Sequence, residues 1–269
     1  MDHVPASFPV PLFLDQSMPV ELASELVQLD VDGHSVRVHC ATQHYEPEVF
    51  DYYGTLCETI LTPATTGRPF VIQLDVCTDA IVRMRMAPEG EPFPPPTPMV
   101  VGQFDGPTHF QLHRAGDRVT IETALLRLEI VHEPLQLLIY DRDGNLIWAT
   151  RALDIACLRR PEVQWNPAEN RWLFYHRYAY PLGWAAHGGI QRAFLSSDLH
   201  YDEHIYGFGE GFGRLDKRET RQRLWNVEAF GNASPGAYKK IPFFMSTRGY
   251  GLFLNTSNAV TAHVGDLES

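Results

Sequence analysis

The chain has 269 residues and a formal net charge of -11, with 44% hydrophobic and 20% charged residues. That length is sufficient for a large hydrophobic core, and the composition excludes a disordered or fibrous chain. The acidic balance argues against binding to nucleic acid or to an anionic membrane surface, and no segment approaches the run of about 20 apolar residues that a membrane span needs. Twenty glycines, 20 prolines and 12% aromatic residues favour a turn-rich all-β protein.

The N-terminus lacks the basic region of a secretory signal, and we expect residues 1–20 to form an extended leader. Glu21–Gln28 is the segment whose pattern fits a short helix of two turns. The cysteines show neither CxxC nor paired-metal spacing, and we expect reduced, mostly buried thiols in a cytoplasmic protein without a metal or another cofactor. The four cysteines are Cys40, Cys57, Cys77 and Cys157.

Alternation with a period of two residues is the main structural signal. Phe70–Val76, a turn at Thr78-Asp79 and Val82–Met86 predict a hairpin with one buried and one solvent-exposed face. Pro92–Pro98 is unable to join a ladder and is predicted to be an extended surface loop. The pattern predicts further strands at Val119–Thr123, Leu126–Ile130, Leu137–Tyr140 and Leu146–Trp148, with a turn at Asp141–Gly144. These signals predict one large antiparallel β-sandwich that spans residues 1–269.

Two motifs suggest ligand chemistry at first sight. Gly207–Gly213 lacks the glycine spacing of a phosphate-binding loop, and no helix follows it. We expect a strand end there, where the backbone bends or approaches a neighbour closely. His200–His204 carries two imidazoles and two carboxylates, which would converge on a metal only in a helix. Its flanks instead predict a turn before the strand Ile205–Phe208, and so no metal site.

Residues 205–258 are rich in aromatic side chains that are interleaved with amides and carboxylates, a combination that suits a sugar surface. We expect the aromatic residues of the strands Ile241–Phe244 and Tyr250–Phe253 to lie in the core. The loop from Trp225 to Tyr238 is the better functional candidate, because loops carry binding residues more often than strands do. Its candidate substrate-binding residues are Trp225, Asn226, Glu228 and Tyr238.

The same segment resembles the end of the N-terminal β-sandwich of glycoside hydrolase family 31, which comprises α-glucosidases, α-xylosidases and related enzymes. The ordered landmarks are Ile205–Glu210, Leu224–Asn226, Ala237–Phe244 and Arg248–Asn255. The resemblance implies a sandwich similar to galactose mutarotase that packs on a (β/α)8 barrel of the same polypeptide. In that family the barrel supplies both catalytic aspartates of a retaining mechanism, and no such nucleophile motif occurs in this chain. We therefore expect no catalytic residue here.

The resemblance also implies that one loop of the sandwich, Asn226–Tyr238 in this chain, reaches the active site. Glu228 stands where the family usually has Asp, whereas Tyr238 matches an aromatic position of the family. The implied partner is an α-linked oligosaccharide or glycoside, and an unpaired sheet edge would favour homo-oligomers. Two alternatives are a free-standing carbohydrate-binding module and an aldose-epimerase-like enzyme, which needs a His and a carboxylate facing each other.

Overall fold

The structure is a computed structural model that describes residues 19–52, 56–95, 97–102, 104, 109–153, 159–167, 171–178, 182–187, 190–228 and 236–266. In these residues nineteen strands and no helix occur, and nothing in them is a helix long and apolar enough to cross a membrane. The all-β prediction is confirmed. The strands are β1 (Val20–Asp32), β2 (Ser35–Tyr52), β3 (Leu56–Thr66), β4 (Phe70–Thr78), β5 (Ile81–Pro88), β6 (Gln111–Ala115), β7 (Arg118–Glu122), β8 (Leu126–Val131), β9 (Gln136–Asp141), β10 (Leu146–Ala149), β11 (Arg159–Asn166), β12 (Arg171–Tyr178), β13 (Leu182–His187), β14 (Ile190–Leu195), β15 (Ile205–Gly209), β16 (Thr220–Leu224), β17 (Lys240–Ser246), β18 (Gly251–Phe253) and β19 (Val260–Val264).

The prediction of a short helix at Glu21–Gln28 is wrong, because this segment lies within β1. An isolated helix of two turns makes few hydrogen bonds for the conformational entropy it costs. In the strand, Val20 and Leu22 alternate onto one buried face. The backbone of β1 is paired in an antiparallel ladder that sets Glu21 opposite Trp184 of β13. Ladder pairing and burial together therefore override a weak helical pattern.

The chain divides into two compact units, and the first comprises Met1–Ser24, Ala41–Arg68 and Leu153–Ser196. In this unit β13 pairs with β1 and β14, and β3 pairs with β2 and β12. The β3–β12 ladder is parallel, whereas the other ladders of this unit are antiparallel. Its described core comprises Val20, Leu22, Tyr45 and Ala185.

The second unit comprises Glu25–Cys40, Pro69–Ala152 and Ser197–Ser269. It contains a five-stranded antiparallel sheet in the order β10-β9-β8-β7-β6, which confirms the strands predicted between residues 119 and 148. The turn predicted at Asp141–Gly144 is also present, since Asp141 Oδ1 accepts hydrogen bonds from the main chains of Asp143 and Asn145. Smaller sheets join β15 to β17 and β18, and β16 to β19. The described part of Pro92–Pro98 lies outside any strand, as predicted.

Two of the four cysteines have described side chains. Cys40 and Cys77 are buried thiols, and burial raises the pKa of each thiol. The prediction of buried thiols is confirmed for these two positions. The side chains of Cys57 and Cys157 lie outside the described residues, as does most of the predicted leader at residues 1–20.

The predicted hairpin is present as β4 and β5, but the prediction that one face of β4 is exposed to solvent is wrong. Asp75 is fully buried and Gln73 nearly so. Asp75 Oδ1 accepts hydrogen bonds from Ser35 Oγ and Gln73 Nε2, both at 2.6 Å. Its Oδ2 accepts from Arg83 Nε at 2.8 Å and from Arg85 Nη2 at 3.0 Å. The charge on Asp75 is therefore hydrogen-bonded on both oxygens, which is the condition for burying a carboxylate.

Burial raises the pKa of Asp75, but the hydrogen bonds from Gln73, Ser35 and Arg83 and the charge of Arg85 outweigh it and lower the pKa below its ordinary value of 3.8. A carboxyl group whose pKa falls on folding stabilises the fold above its unfolded pKa. That contribution is lost as the pH falls through the folded pKa, which lies below 3.8.

We expect Asp75→Asn to lower the free energy of unfolding by about 3 kcal/mol at pH 7, because it removes the partner of two guanidinium groups. The matched control is Asp143→Asn, at an exposed carboxylate 3.8 Å from Arg142, which should change stability by less than about 0.5 kcal/mol. Denaturant unfolding at several pH values measures both. The difference between the chain and its Asp75→Asn variant should shrink as the pH falls below 3.8, and a difference independent of pH contradicts the assignment.

Candidate functional site

The candidate site begins where β16 ends at Leu224 and extends to the start of β17 at Lys240. Asn226 Oδ1 accepts a hydrogen bond from the main-chain nitrogen of Lys240 at 2.6 Å. The main-chain nitrogen of Val227 donates to the carbonyl of Ala237 at 3.1 Å. These two bonds, which we call the loop stem, fix both ends of the segment between β16 and β17. Residues 229–235 lie outside the described residues.

The loop stem lies against the end of β15. Glu210 N donates to the carbonyl of Lys239 at 2.9 Å, and a bulge interrupts the β15–β17 ladder between Gly207 and Gly209. A Cβ atom on Gly209 would lie only 2.2 Å from the oxygen of Lys239, and the φ of Gly209 is +74°. Glycine is therefore required there for both space and conformation. The prediction that Gly207–Gly213 marks a close backbone approach is confirmed.

The four predicted binding residues lie at the two ends of the loop. The Trp225 side chain is 49% exposed and the Tyr238 side chain 51%, so each ring keeps an open face. Glu228 is exposed, and no described residue forms a hydrogen bond or ion pair with its carboxylate. Asn226 differs from the other three, because its side-chain oxygen is already used by the loop stem. Contact of any of the four with a sugar stays a prediction.

Burial of Glu203 is a feature that sequence reasoning missed. Glu203 lies in the turn before β15 and is 1% exposed. Its carboxylate accepts hydrogen bonds from Ser246 Oγ at 2.5 Å, from Tyr250 OH at 2.7 Å and from the main chain of His200 at 3.0 Å. Burial and the bond to Glu203 raise the pKa of the Tyr250 phenol. Glu203 thus ties the turn to β17 and to the segment before β18, and no local pattern identifies such a residue.

The turn predicted at His200–His204 is present, and its histidines contact different carboxylates. His200 Nδ1 contacts Asp202 Oδ1, and His204 Nδ1 lies 2.7 Å from Asp216 Oδ2. Across the described ranges no group of three or more His, Cys, Asp or Glu side chains is placed to hold a metal ion. Each contact is an exposed or half-exposed ion pair with a modest effect on stability.

The aldose-epimerase alternative requires a histidine and a carboxylate that face each other across a sugar. His44 lies between two carboxylates, with Nδ1 2.7 Å from Glu21 Oε1 and Nε2 2.8 Å from Glu46 Oε1. Burial lowers the pKa of His44, but the bonds to Glu46 and Glu21 outweigh burial and raise it. Because both ring nitrogens already touch carboxylates, no sugar fits between these groups. The arrangement favours a structural ion pair.

The outward face of β17 and β18 is apolar, which corrects the expectation that the aromatic residues of both strands lie in the core. Phe244 packs against the buried cluster of Ile205, Phe208, Leu224 and Val264, as expected. Alternate residues of β17 point the other way, and Phe243 lies directly opposite Phe253 in the ladder. The exposed apolar face comprises Ile241 (50% exposed), Phe243 (37%), Met245 (54%) and Phe253 (40%).

A cleft of about 380 Å³ lies elsewhere in the second unit. It is lined by residues of β1, of the β6–β7 hairpin and by His132, and none of the predicted binding residues borders it. The cleft therefore does not enlarge the candidate site, which consists of the loop stem, the two half-exposed rings and the neighbouring apolar face.

Comparison with known proteins gives consistent results. The family described as "Glycosyl hydrolase 31 N-terminal galactose mutarotase-like domain" matches residues 71–262. An alpha-xylosidase of Emericella nidulans is 36% identical over 89 residues, which are 33% of this chain and 10% of that protein. Alpha-glucosidase 2 of Bacillus thermoamyloliquefaciens is 23% identical over 197 residues, or 71% of this chain and 21% of that protein.

Among solved structures, the GH31 dextranase FjDex31A of Flavobacterium johnsoniae, complexed with glucose, matches 92% of this chain with a TM-score of 0.62. Its sequence identity is 20%, and the match covers 24% of that enzyme's chain. This likeness supports the fold, and the family match confirms the expected similarity to galactose mutarotase. The chain spans less than a quarter of the length of each of these three relatives.

We expect Asn226→Ala to loosen the loop stem, because the main-chain nitrogen of Lys240 loses its acceptor. The loss should cost about 1 kcal/mol of unfolding free energy and speed tryptic cleavage after Lys239 and Lys240. Asn226→Asp keeps an acceptor oxygen and should behave like the unchanged chain. Asn258→Ala, at an exposed turn residue, is the matched control. Equal cleavage rates in Asn226→Ala and Asn258→Ala contradict the role assigned to Asn226.

Proposed function

This chain belongs to the family of glycosyl hydrolase 31 N-terminal galactose mutarotase-like domains, and from this we propose that it is the N-terminal domain of a retaining α-glycosidase. The domain supports a catalytic (β/α)8 barrel of the same polypeptide, which supplies the catalytic aspartates. Its loop Asn226–Tyr238 lines the substrate pocket. The substrate class is an α-linked oligosaccharide or glycoside.

The observation that carries this proposal is the exposed apolar face of β17 and β18. Contiguous apolar side chains on a protein surface mark an interaction site, because leaving them in water costs free energy that a partner recovers. Phe243 and Phe253 stand side by side on adjacent strands, so one partner surface covers both. In this proposal the barrel covers the face.

The position of the loop supports the second part of the proposal. β17 follows directly from the loop stem, so a partner seated on its apolar face comes next to Trp225 and Tyr238. Half-exposed aromatic rings stack on the C–H faces of a sugar, while a nearby carboxylate accepts hydrogen bonds from its hydroxyl groups. We assign stacking to Trp225 and Tyr238, hydroxyl recognition to Glu228 and loop positioning to Asn226.

The proposal also places the protein in the cytoplasm. Cys40 and Cys77 are buried thiols, and reduced cysteines are typical of proteins in a reducing compartment. A free copy of the domain would leave the apolar face exposed, so homo-oligomers are expected when the barrel is absent. The proposal includes no nucleic acid or membrane partner, because the net charge of -11 disfavours binding to anionic surfaces.

We expect the isolated chain to hydrolyse no aryl α-glycoside, and the polypeptide with its barrel to do so. The double variant Phe243→Ser and Phe253→Ser should lower self-association of the isolated chain and also lower the stability of the polypeptide that contains the barrel. Because Phe243 is 37% exposed and Phe253 40%, covering each ring contributes about 1 kcal/mol. Analytical ultracentrifugation and thermal unfolding measure the two effects.

Val101→Ser is the matched control, since Val101 is 94% exposed and lies outside the apolar face. It should change neither quantity. Turnover by the isolated chain contradicts the assignment of catalysis to the barrel. Equal unfolding temperatures for the double variant and the control contradict docking at the apolar face.

Calorimetry with malto- and xylo-oligosaccharides distinguishes a supporting domain from a free-standing carbohydrate-binding module. We expect little affinity for the isolated chain, because its loop forms only one wall of the pocket. In the polypeptide with its barrel, Tyr238→Ala should weaken substrate binding by about tenfold or more, whereas Tyr201→Ala, at a ring outside the loop that is 81% exposed, should not. Tight binding by the isolated chain would favour the binding module instead.

A further inference from the structure

The lysines of this chain are few and lie close to one another. Only three of the 22 basic residues are lysines, and they are Lys217, Lys239 and Lys240. Lys239 and Lys240 end the loop stem, and Lys217 is the charged neighbour of Lys240. Arginine stays protonated in proteins, whereas the amine of lysine loses its proton readily when it is buried or placed beside another cation. Two of the three side-chain amines of this chain therefore belong to residues that end the loop stem, and the third lies beside one of them.

Lys240 is held in a defined position. Its main-chain nitrogen donates to Asn226 Oδ1, and its side chain extends to Gly211. A Cβ atom on Gly211 would lie 2.5 Å from Lys240 Nζ, so the amine occupies the space that the glycine leaves open. Among the residues that the structure describes, no carboxylate lies within ion-pair distance of this amine. The position is thus partly enclosed and lacks a described counter-ion.

Lys217 adds a second cation to the same place. It is 9% exposed, and its Nζ donates to the carbonyl of Arg214 at 2.5 Å. The carbonyl is a neutral acceptor and supplies no counter-charge for the Lys217 amine. Burial and the charge of Lys217 both lower the pKa of Lys240. A larger share of Lys240 is therefore the neutral amine, which is the nucleophilic form.

Lys239 is the natural comparison, because it is the adjacent residue in an opposite environment. Its side chain is 73% exposed, and its Nζ lies 3.5 Å from Glu210 Oε1. The Lys239 amine thus has a carboxylate neighbour, which the described surroundings of the Lys240 amine lack. The two lysines thus differ in charge partner and enclosure while they share the same loop stem.

We propose that Lys240 is a reactive amine that forms an imine with aldehydes at the base of the loop, and that its natural aldehyde is the open-chain form of a reducing sugar. The lone pair of Nζ attacks the aldehyde carbon, and the carbonyl oxygen takes up a proton to give a carbinolamine. Nζ gives up one proton as the carbinolamine forms; the hydroxyl then leaves as water with a proton taken from solvent, and Nζ returns its second proton to solvent, which leaves the imine. The net reaction joins amine and aldehyde and releases one water, with no change of oxidation state.

The choice of a reducing sugar rests on the proposed function, because a glycosidase releases such sugars next to this loop. The reactivity of Lys240 itself does not rest on it. Glyceraldehyde, a small aldehyde, tests the amine alone, and D-xylose tests the sugar. If the protein has no glycosidase activity, the labelling pattern with glyceraldehyde is unaffected.

The experiment incubates the chain with either aldehyde and sodium cyanoborohydride, which reduces the imine to a stable secondary amine. Chymotryptic peptides and fragment-ion mass spectrometry then give the labelling rate at each of the three lysines. We expect Lys240 to react about threefold or more faster than Lys239, because its partly enclosed amine lies beside another cation whereas the Lys239 amine lies beside a carboxylate. Lys217→Met should lower the rate at Lys240, and Glu210→Gln should raise the rate at Lys239 alone.

Three results would overturn the proposal. The first is a rate at Lys239 equal to or above that at Lys240 in the unchanged chain. The second is a rate at Lys240 that Lys217→Met leaves unaltered while circular dichroism shows an intact fold. The third is protection of Lys240 by inorganic phosphate, which would mean that Lys217 and Lys240 hold an anion and keep their charges.

Discussion

The contact between two backbones, at the end of β15 and the start of β17, sets the geometry of the candidate site. Gly209 approaches the carbonyl of Lys239 so closely that no other residue fits, and Glu210 donates to that same carbonyl. Because the contact is made by main-chain atoms, it leaves the nearby side chains available for other contacts. Asn226 then binds the next main-chain nitrogen, which places Trp225 and Tyr238 at the two ends of one loop.

The second unit reverses the usual distribution of polar and apolar side chains at several positions. Asp75 and Glu203 are buried carboxylates, whereas Phe243 is 37% exposed and Met245 54%. Each buried carboxylate accepts hydrogen bonds from several donors, which offset part of the cost of removing it from water. Exposed aromatic side chains have no such compensation in water. Under the proposed function, this pattern is expected of a domain whose apolar face is covered by a partner.

Under the proposed function the lysines are important because Lys239 and Lys240 lie at the start of β17, next to the apolar face. Glu210 Oε1 lies 3.5 Å from the Lys239 amine, and Gly211 leaves space for the Lys240 amine near Lys217. Glu210, at the end of β15, takes part in both the backbone contact and the contact with the Lys239 amine. Gly209 and Gly211, in the segment where the sequence predicts a bend, therefore also decide where the backbone of Lys239 and the amine of Lys240 lie.

The sequence by itself determined the all-β class, the strands between residues 119 and 148, the glycine-dependent strand end and the family, because each follows from local alternation, turn chemistry or an ordered set of landmarks. It also indicated the loop that begins at Trp225 and Asn226. Only the tertiary structure decided that Glu21–Gln28 is a strand, since pairing with β13 supplies its hydrogen bonds. Likewise, Asp75 can be buried because Arg83 and Arg85 on the neighbouring strand donate hydrogen bonds to it. The burial of Glu203 becomes apparent only from its hydrogen bonds with Ser246 and Tyr250. Alternation shows that β17 has two faces, but contacts from distant segments decide which face is buried.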